Sequence, residues 1–185
     1  MSSLVSIDVE DYYKVLHPRP VYLIVSSCDG RANVASIAWV SPVNDDPPIV
    51  AVAISKDALT SELISKCGVF TINVVDESKI SDVWVAGTVS GREIDKVGKL
   101  GLKLIKSRTI DAPYIDGCLA YLGCKVIRSL EINGVNLYIA KVLEVYVRKN
   151  LFDPRYGWNL YRAKILMHSS GRCFTIPGKV IIHRM

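Results

Sequence analysis

The chain has 185 residues, half of them hydrophobic, with 23 Lys and Arg against 18 Asp and Glu for a formal charge of +5. That length predicts one domain over residues 1–185, with a core large enough to need no metal or disulfide staple. No apolar run is long enough to cross a bilayer, the N-terminal MSSLVSIDVEDYYKV carries acids where a secretory signal has Lys or Arg, and the basic residues are scattered; a soluble cytoplasmic protein without nucleic-acid or membrane partners is expected.

Residues 21–27, 32–40, 49–55 and 69–75 read as strands, being rich in Val, Ile and Ala. Asp29-Gly30 between the first two is a hairpin signal, and Asn44-Asp45-Asp46-Pro47-Pro48 interrupts the ladder before the third. Residues 57–67 predict a helix with Asp57 as a sufficient cap, an apolar stripe of Leu59, Leu63, Ile64 and Cys67, and Gly68 as its stop. A second short helix is expected at 77–86, with Ile80, Val83 and Trp84 inward, followed by a Gly-rich connector over 87–101.

Residues 117–130 and 135–148 form long alternating runs joined at Asn133-Gly134, a strong hairpin signal. On the second run Leu137, Ile139, Leu143, Val145 and Val147 predict a core face. Tyr138, Glu144, Tyr146 and Arg148 predict a mixed face, open to solvent or to a partner subunit. Periodic signals are few beyond Phe152. Strands, small helices and strands again predict a mainly β fold, an antiparallel barrel or sandwich with helices over its ends. No GxGxxG follows a strand, which disfavours a dinucleotide-binding α/β fold. The five cysteines (28, 67, 118, 124 and 173) include no CxxC pair and read as buried small hydrophobes in a reducing compartment, with Cys118 and Cys124 sharing one strand face. His17, His168 and His183 lack ligand spacing, so no metal site is expected.

Four stretches could carry chemistry. At the strand-to-helix junction, Ser55, Lys56 and Thr60 bring two hydroxyls and a cation to a positive dipole end, which suits a phosphate; ordinary capping accounts for the same residues. Ser90-Gly91-Arg92, with Asp95 and Lys96, offers a permissive backbone and a bidentate cation, or simply a solvated loop. In Asn33-Val34-Ala35-Ser36-Ile37-Ala38-Trp39, small residues would let a flat ligand lie against the backbone with Trp39 as a wall, or the strand packs under a helix. His168, in LMHSSG, is a lone histidine with no local acid. No catalytic triad order or carboxylate pair stands out, so any chemistry belongs to a bound cofactor.

Taken in order, Arg19-Pro20-Val21, GRANVASIAWVSPV, DPPIVAVAISKDALTSELI, GVFTINVV, VSGREIDK, GLKL, Ala112-Pro113, CLAYLGCKV and a late Leu-x-His resemble the flavin reductase-like FMN-binding proteins, relatives of flavoredoxin and of the reductase partners of two-component monooxygenases. The resemblance implies a split β-barrel of Greek-key type with a few short covering helices, working as a homodimer with FMN near the subunit interface. It implies that residues 33–39 lie along the isoalloxazine, that Ser55, Lys56 and Thr60 receive the phosphate, and that Arg92 and Lys96 lie on the phosphate side. His168 falls at the position of nicotinamide access. The implied activity is NADH- or NADPH-dependent reduction of flavin at N5, with free flavin, a ferric complex or an acceptor protein taking the electrons. The alternative is an FMN-binding electron-transfer protein reduced by a protein donor. The chain departs from the family in two places: Ala38 stands where Ser often precedes the Trp, and Arg172-Cys173-Phe174 follow Gly171 where a Tyr is common.

Overall fold

The structure is a computed structural model and describes residues 4–181 and residue 183. In chain order, α1 (Tyr12–Val15) precedes β1 (Arg19–Pro20), β2 (Tyr22–Cys28), β3 (Arg31–Ile37), β4 (Val40–Asn44) and β5 (Ile49–Ser55). Next come α2 (Leu59–Cys67), β6 (Val69–Val74), α3 (Ile80–Thr88) and α4 (Lys96–Lys99). The short β7 (Leu104–Ile105) and β8 (Tyr114–Ile115) lead to the long pair β9 (Ala120–Ile132) and β10 (Val135–Val147). The chain closes with β11 (Phe152–Asp153), β12 (Gly157–Trp158), β13 (Met167–Ser170) and β14 (Cys173–Thr175).

Seven strands make one antiparallel sheet in the order β3-β2-β6-β9-β10-β5-β4. Consecutive strands β3 and β4 therefore sit at opposite edges, two residues apart in the chain, so the sheet must roll up on itself. The backbone N–H of Ala53 donates to the Trp39 carbonyl (3.0 Å), which extends the β4–β5 ladder one residue back toward β3. This is the mainly β, split-barrel arrangement that the strand order leads to.

The sheet buries both of its faces along β2. Ile24 faces inward with Val52, Ile54, Phe70, Ile72, Tyr138 and Ala140, while Leu23 and Val25 face outward under α3 with Val34, Val83 and Ala86. A strand covered on both sides must be apolar without alternation, which is why Tyr22–Cys28 reads as a continuous run. Each fully buried aliphatic side chain there contributes about 1.5–3 kcal/mol relative to exposure.

Strand β10 departs from its expected faces. Tyr138 and Ala140 are buried, whereas Leu143 and Val145 are exposed. The cause is a bulge: Val142 pairs with Cys124 and Glu144 with the adjacent Gly123, so Leu143 is an extra residue and the alternation slips by one. Before the bulge Tyr138 and Ala140 point into the barrel; after it Val145 and Val147, both solvent-exposed, line an open hollow with Ile72 and Val74. The face read as core is thus not the buried one. The mixed face is partly covered and partly solvated: Tyr138 is buried, Glu144 is buried over Gly123 and Tyr121 stacks between Tyr114 and Tyr146, while Tyr146 and Arg148 are exposed.

Three further expectations change. Cys28 and Cys67 form a disulfide, so these two are a covalent tie rather than small hydrophobes. Cys118 precedes β9 and does not share a strand with Cys124. The second helix begins as a single 3₁₀ turn at Glu77–Lys79 and continues as α3, with Ile80 exposed rather than inward.

Candidate functional site

Helix α2 starts two residues later than its sequence suggests. Its N-cap position is Ala58, and no side chain caps it; Asp57 lies outside the helix. Capping therefore fails as the explanation for Ser55, Lys56 and Thr60, and the first N–H groups of a nine-residue helix are left without a side-chain acceptor.

Three segments far apart in sequence meet at this helix end. Asn33, near the start of β3, donates from Nδ2 to the Thr60 hydroxyl (2.8 Å), and both residues are buried. The backbone at Gly91 presses directly on the Asn33 side chain: a Cβ there would lie 2.7 Å from its Cγ and closer still to its Oδ1. From the same loop, Arg92 donates from Nε to the Asp57 carbonyl (3.0 Å) and pairs through Nη1 with Glu62 (2.7 Å). Lys56 pairs with Glu131 (2.8 Å), and that hydrogen bond holds its ammonium above the usual lysine range. Both ion pairs are about half exposed, so either cation can exchange its carboxylate for another anion at little cost. The assembly presents N–H groups without side-chain acceptors and two half-exposed cations beside one helix N-terminus, which is the chemistry of a phosphate site.

Thr60 enters this site differently from what its sequence position suggests. It is wholly buried and its hydroxyl oxygen accepts from Asn33, so it holds β3 against α2. Lys96 also lies elsewhere. The residue is 5% exposed and its amine donates to the carbonyls of Val34 (3.1 Å) and Ala86 (2.7 Å), pinning β3 to α3. Burial lowers its pKa below 10.5. Between that lowered value and 10.5 the unfolded chain holds more protons than the folded one, so this lysine makes stability rise with pH across that alkaline window. Lys96→Met leaves two buried carbonyls unpartnered and is expected to cost about 2 kcal/mol at pH 7. The gap between wild type and variant should widen toward pH 10 in urea unfolding.

Beyond Asn33, strand β3 alternates faces. Ser36 and Ala38 line a cavity together with Trp84, Thr88, His168 and Phe174, so the structure does bring His168 to the small-residue strand. Trp39 lies on the other side of the same strand end, lining a second hollow with Tyr13, His17, Ser41 and Ala51. His17 joins the two: its Nδ1 contacts the His168 carbonyl (2.8 Å), and the imidazoles meet edge to face at 5.4 Å. His168 Nε2 lies 3.0 Å from the Gly171 carbonyl. His17, Trp84 and Phe174 were not foreseen as site residues. His17 and His168 are 151 residues apart, a pairing that spacing rules do not reach.

Among the described residues no helix is long and apolar enough to cross a membrane. Residues 14–176 match the flavin reductase like domain family. An uncharacterised protein of Archaeoglobus fulgidus is 34% identical over 169 residues, covering 91% of this chain and 93% of that protein. Among solved structures, flavoredoxin of Desulfovibrio vulgaris (Miyazaki F) superposes with a TM-score of 0.84 at 23% identity, over 99% of this chain and 97% of that one. The FMN-binding protein of Thermus thermophilus, with bound 1-cyclohex-2-enone, gives a TM-score of 0.86 at 19% identity over the whole of both chains. The family match over nearly the whole chain, on a split-barrel fold shared with these structures, establishes that the chain belongs to the flavin reductase-like domain family.

Proposed function

We propose that this chain is a cytoplasmic FMN-binding oxidoreductase reduced by NADH or NADPH. The observation that carries the reading is the uncapped start of α2, where Asn33, Lys56 and Arg92 converge from three segments. The phosphate of FMN would be held there by helix N–H groups, Lys56 and Arg92, and the ring would lie along residues 33–39, where Ala35, Ser36 and Ala38 keep the strand low. Bound FMN supplies the hydride-accepting chemistry at N5, which needs no side-chain acid or base. The protein's part is to hold β3 flat between α2 and α3 through the Asn33–Thr60 and Lys96 bonds, and to keep the Ser36, Ala38 and His168 cavity open for the second reactant. Free flavin, a ferric complex or an acceptor protein would then take the electrons.

Similarity to flavoredoxin favours one other reading, an electron carrier that takes electrons from a protein donor. An anaerobic absorbance spectrum of the FMN-reconstituted protein separates the two. Bleaching of the flavin band by NADH or NADPH establishes the reductase and its donor. A band that bleaches only with dithionite establishes the carrier, and the lack of any flavin band defeats both.

The working form is proposed to be a homodimer. Leu130 and Ile132 at the end of β9 are 55% and 52% exposed, beside Leu137 and Ile139 of β10, which gives an outward apolar patch on the hairpin. Leu130→Asp should convert dimer to monomer in light scattering at micromolar concentration while leaving the circular dichroism unchanged. A variant that stays dimeric would place the interface elsewhere.

A further inference from the structure

The β2–β3 hairpin and the far end of α2 are covalently joined. Cys28 is the last residue of β2 and is 5% exposed; Cys67 is the last residue of α2 and is exposed; their sulfurs are bonded across 39 residues of sequence. A cavity of about 650 Å³ opens alongside, lined by both cysteines with Asp29, Thr109, Asp111 and Lys125. An inert staple would act mainly on the unfolded chain and would need no access from solvent. Here both cysteines line a cavity, and one of them, Cys67, is an exposed residue.

We propose that Cys28–Cys67 is a thiol-exchange site of the folded protein, entered from this cavity by a small thiol-bearing molecule, and that opening it loosens α2 from the β2–β3 hairpin. The incoming thiolate forms a bond to Sγ of Cys67; the Cys67–Cys28 bond breaks and its electron pair leaves on Cys28, which takes up a proton from water. A second thiol then attacks the mixed disulfide at the incoming sulfur and frees Cys67 as a thiol. The protein gains two electrons and two protons, and the small molecule is oxidised to its own disulfide. Attack falls on Cys67 because it is the exposed residue of the pair, whereas Cys28 is buried. Cys67 also ends α2, where the negative pole of the helix disfavours a thiolate, so the leaving charge is better placed on Cys28. Lys125 lines the cavity, and Lys66 neutralises Asp29 through an ion pair, leaving Asp111 as the one acid of the lining without that compensation.

The consequence follows from how α2 is held. It is tied to the hairpin and β3 at its C-terminal end by the disulfide and at its N-terminal end by the Asn33–Thr60 hydrogen bond. Once the disulfide opens, the exposed Lys66–Asp29 pair is a weak substitute. Because the N-terminal tie belongs to the proposed phosphate site, the effect on FMN rests on the functional reading above, whereas the exchange chemistry and the loosening of α2 do not.

The test treats the folded full-length chain with dithiothreitol, blocks new thiols with iodoacetamide and maps them by mass spectrometry. Exposed Cys173 serves as the internal control for reagent access. Cys28 and Cys67 should become labelled while circular dichroism shows the fold intact, and amide exchange over residues 59–67 should quicken about tenfold. FMN affinity should fall severalfold, and reoxidation should reverse all three changes. Cys67→Ser should show the fast exchange without any reagent. A disulfide that yields only on unfolding, or a reduction that leaves α2 exchange unchanged, overturns the proposal. A chain that binds no FMN in either state overturns the functional reading alone, and α2 exchange still decides this one.

Discussion

Lys56→Ala combined with Arg92→Ala is expected to weaken FMN binding about a hundredfold, at two charge-assisted contacts of roughly 1.5 kcal/mol each. Stability should barely move, because both cations sit in half-exposed pairs, with Glu131 and Glu62, of the kind that contributes at most about 1 kcal/mol. FMN fluorescence quenching gives the affinity and thermal unfolding gives the stability. Neutralising the competitors has the opposite sign. Glu131→Gln with Glu62→Gln releases both cations and should tighten FMN severalfold, an effect that fades as salt rises and screens the phosphate. Thr60 is a poor choice for the same experiment despite its place in the sequence. It is fully buried and receives the Asn33 hydrogen bond, so its loss would mix a stability defect with any loss of phosphate contact. Unchanged FMN affinity in the Lys56 and Arg92 double variant would remove the phosphate from this helix end.

What the sequence makes legible here is local. Strand β5 reads from the sequence as it occurs, since a β-branched run meets a helix start within one stretch, and Asn133-Gly134 marks the β9–β10 hairpin because that turn needs residues tolerant of positive φ. The proposed phosphate site is legible only in part: Ser55, Lys56 and Thr60 lie at one strand-to-helix junction, whereas Asn33 and Arg92 reach it from distant segments. Features that depend on chain crossing were hidden. Counting by twos along β10 presumes an unbroken ladder, and the extra residue Leu143, set by pairing with β9, cannot be seen from β10 alone. Lys96 reads as a surface cation because a buried lysine is costly, and only the carbonyls of Val34 and Ala86, converging from β3 and α3, make its burial tolerable. The Cys28–Cys67 bond likewise depends on where α2 ends against a hairpin 39 residues earlier.

Gly91 puts the convergence itself to the test. Its φ is not in the left-handed region, so Gly91→Ala meets no conformational barrier and its effect is steric. The added Cβ would lie 2.7 Å from Asn33 Cγ, and Asn33 cannot swing away without giving up its buried bond to Thr60. Either that bond breaks, or the loop lifts and carries Arg92 off the Asp57 carbonyl. Both outcomes damage the phosphate site, so FMN affinity should fall at least about tenfold, with about 2 kcal/mol of stability lost to overpacking. The companion variant Asn33→Ala, which strands the buried Thr60 hydroxyl, should cost about 1–3 kcal/mol alone. Combined with Gly91→Ala it also vacates the space the new methyl needs. The double variant should therefore unfold at a clearly lower cost than the sum of the singles, because one cavity absorbs the other's intrusion. Additive costs would mean that Gly91 and Asn33 act on the fold independently. The loop bearing Arg92 would then not be held by contact with β3, and the three-segment cradle would lose its central joint.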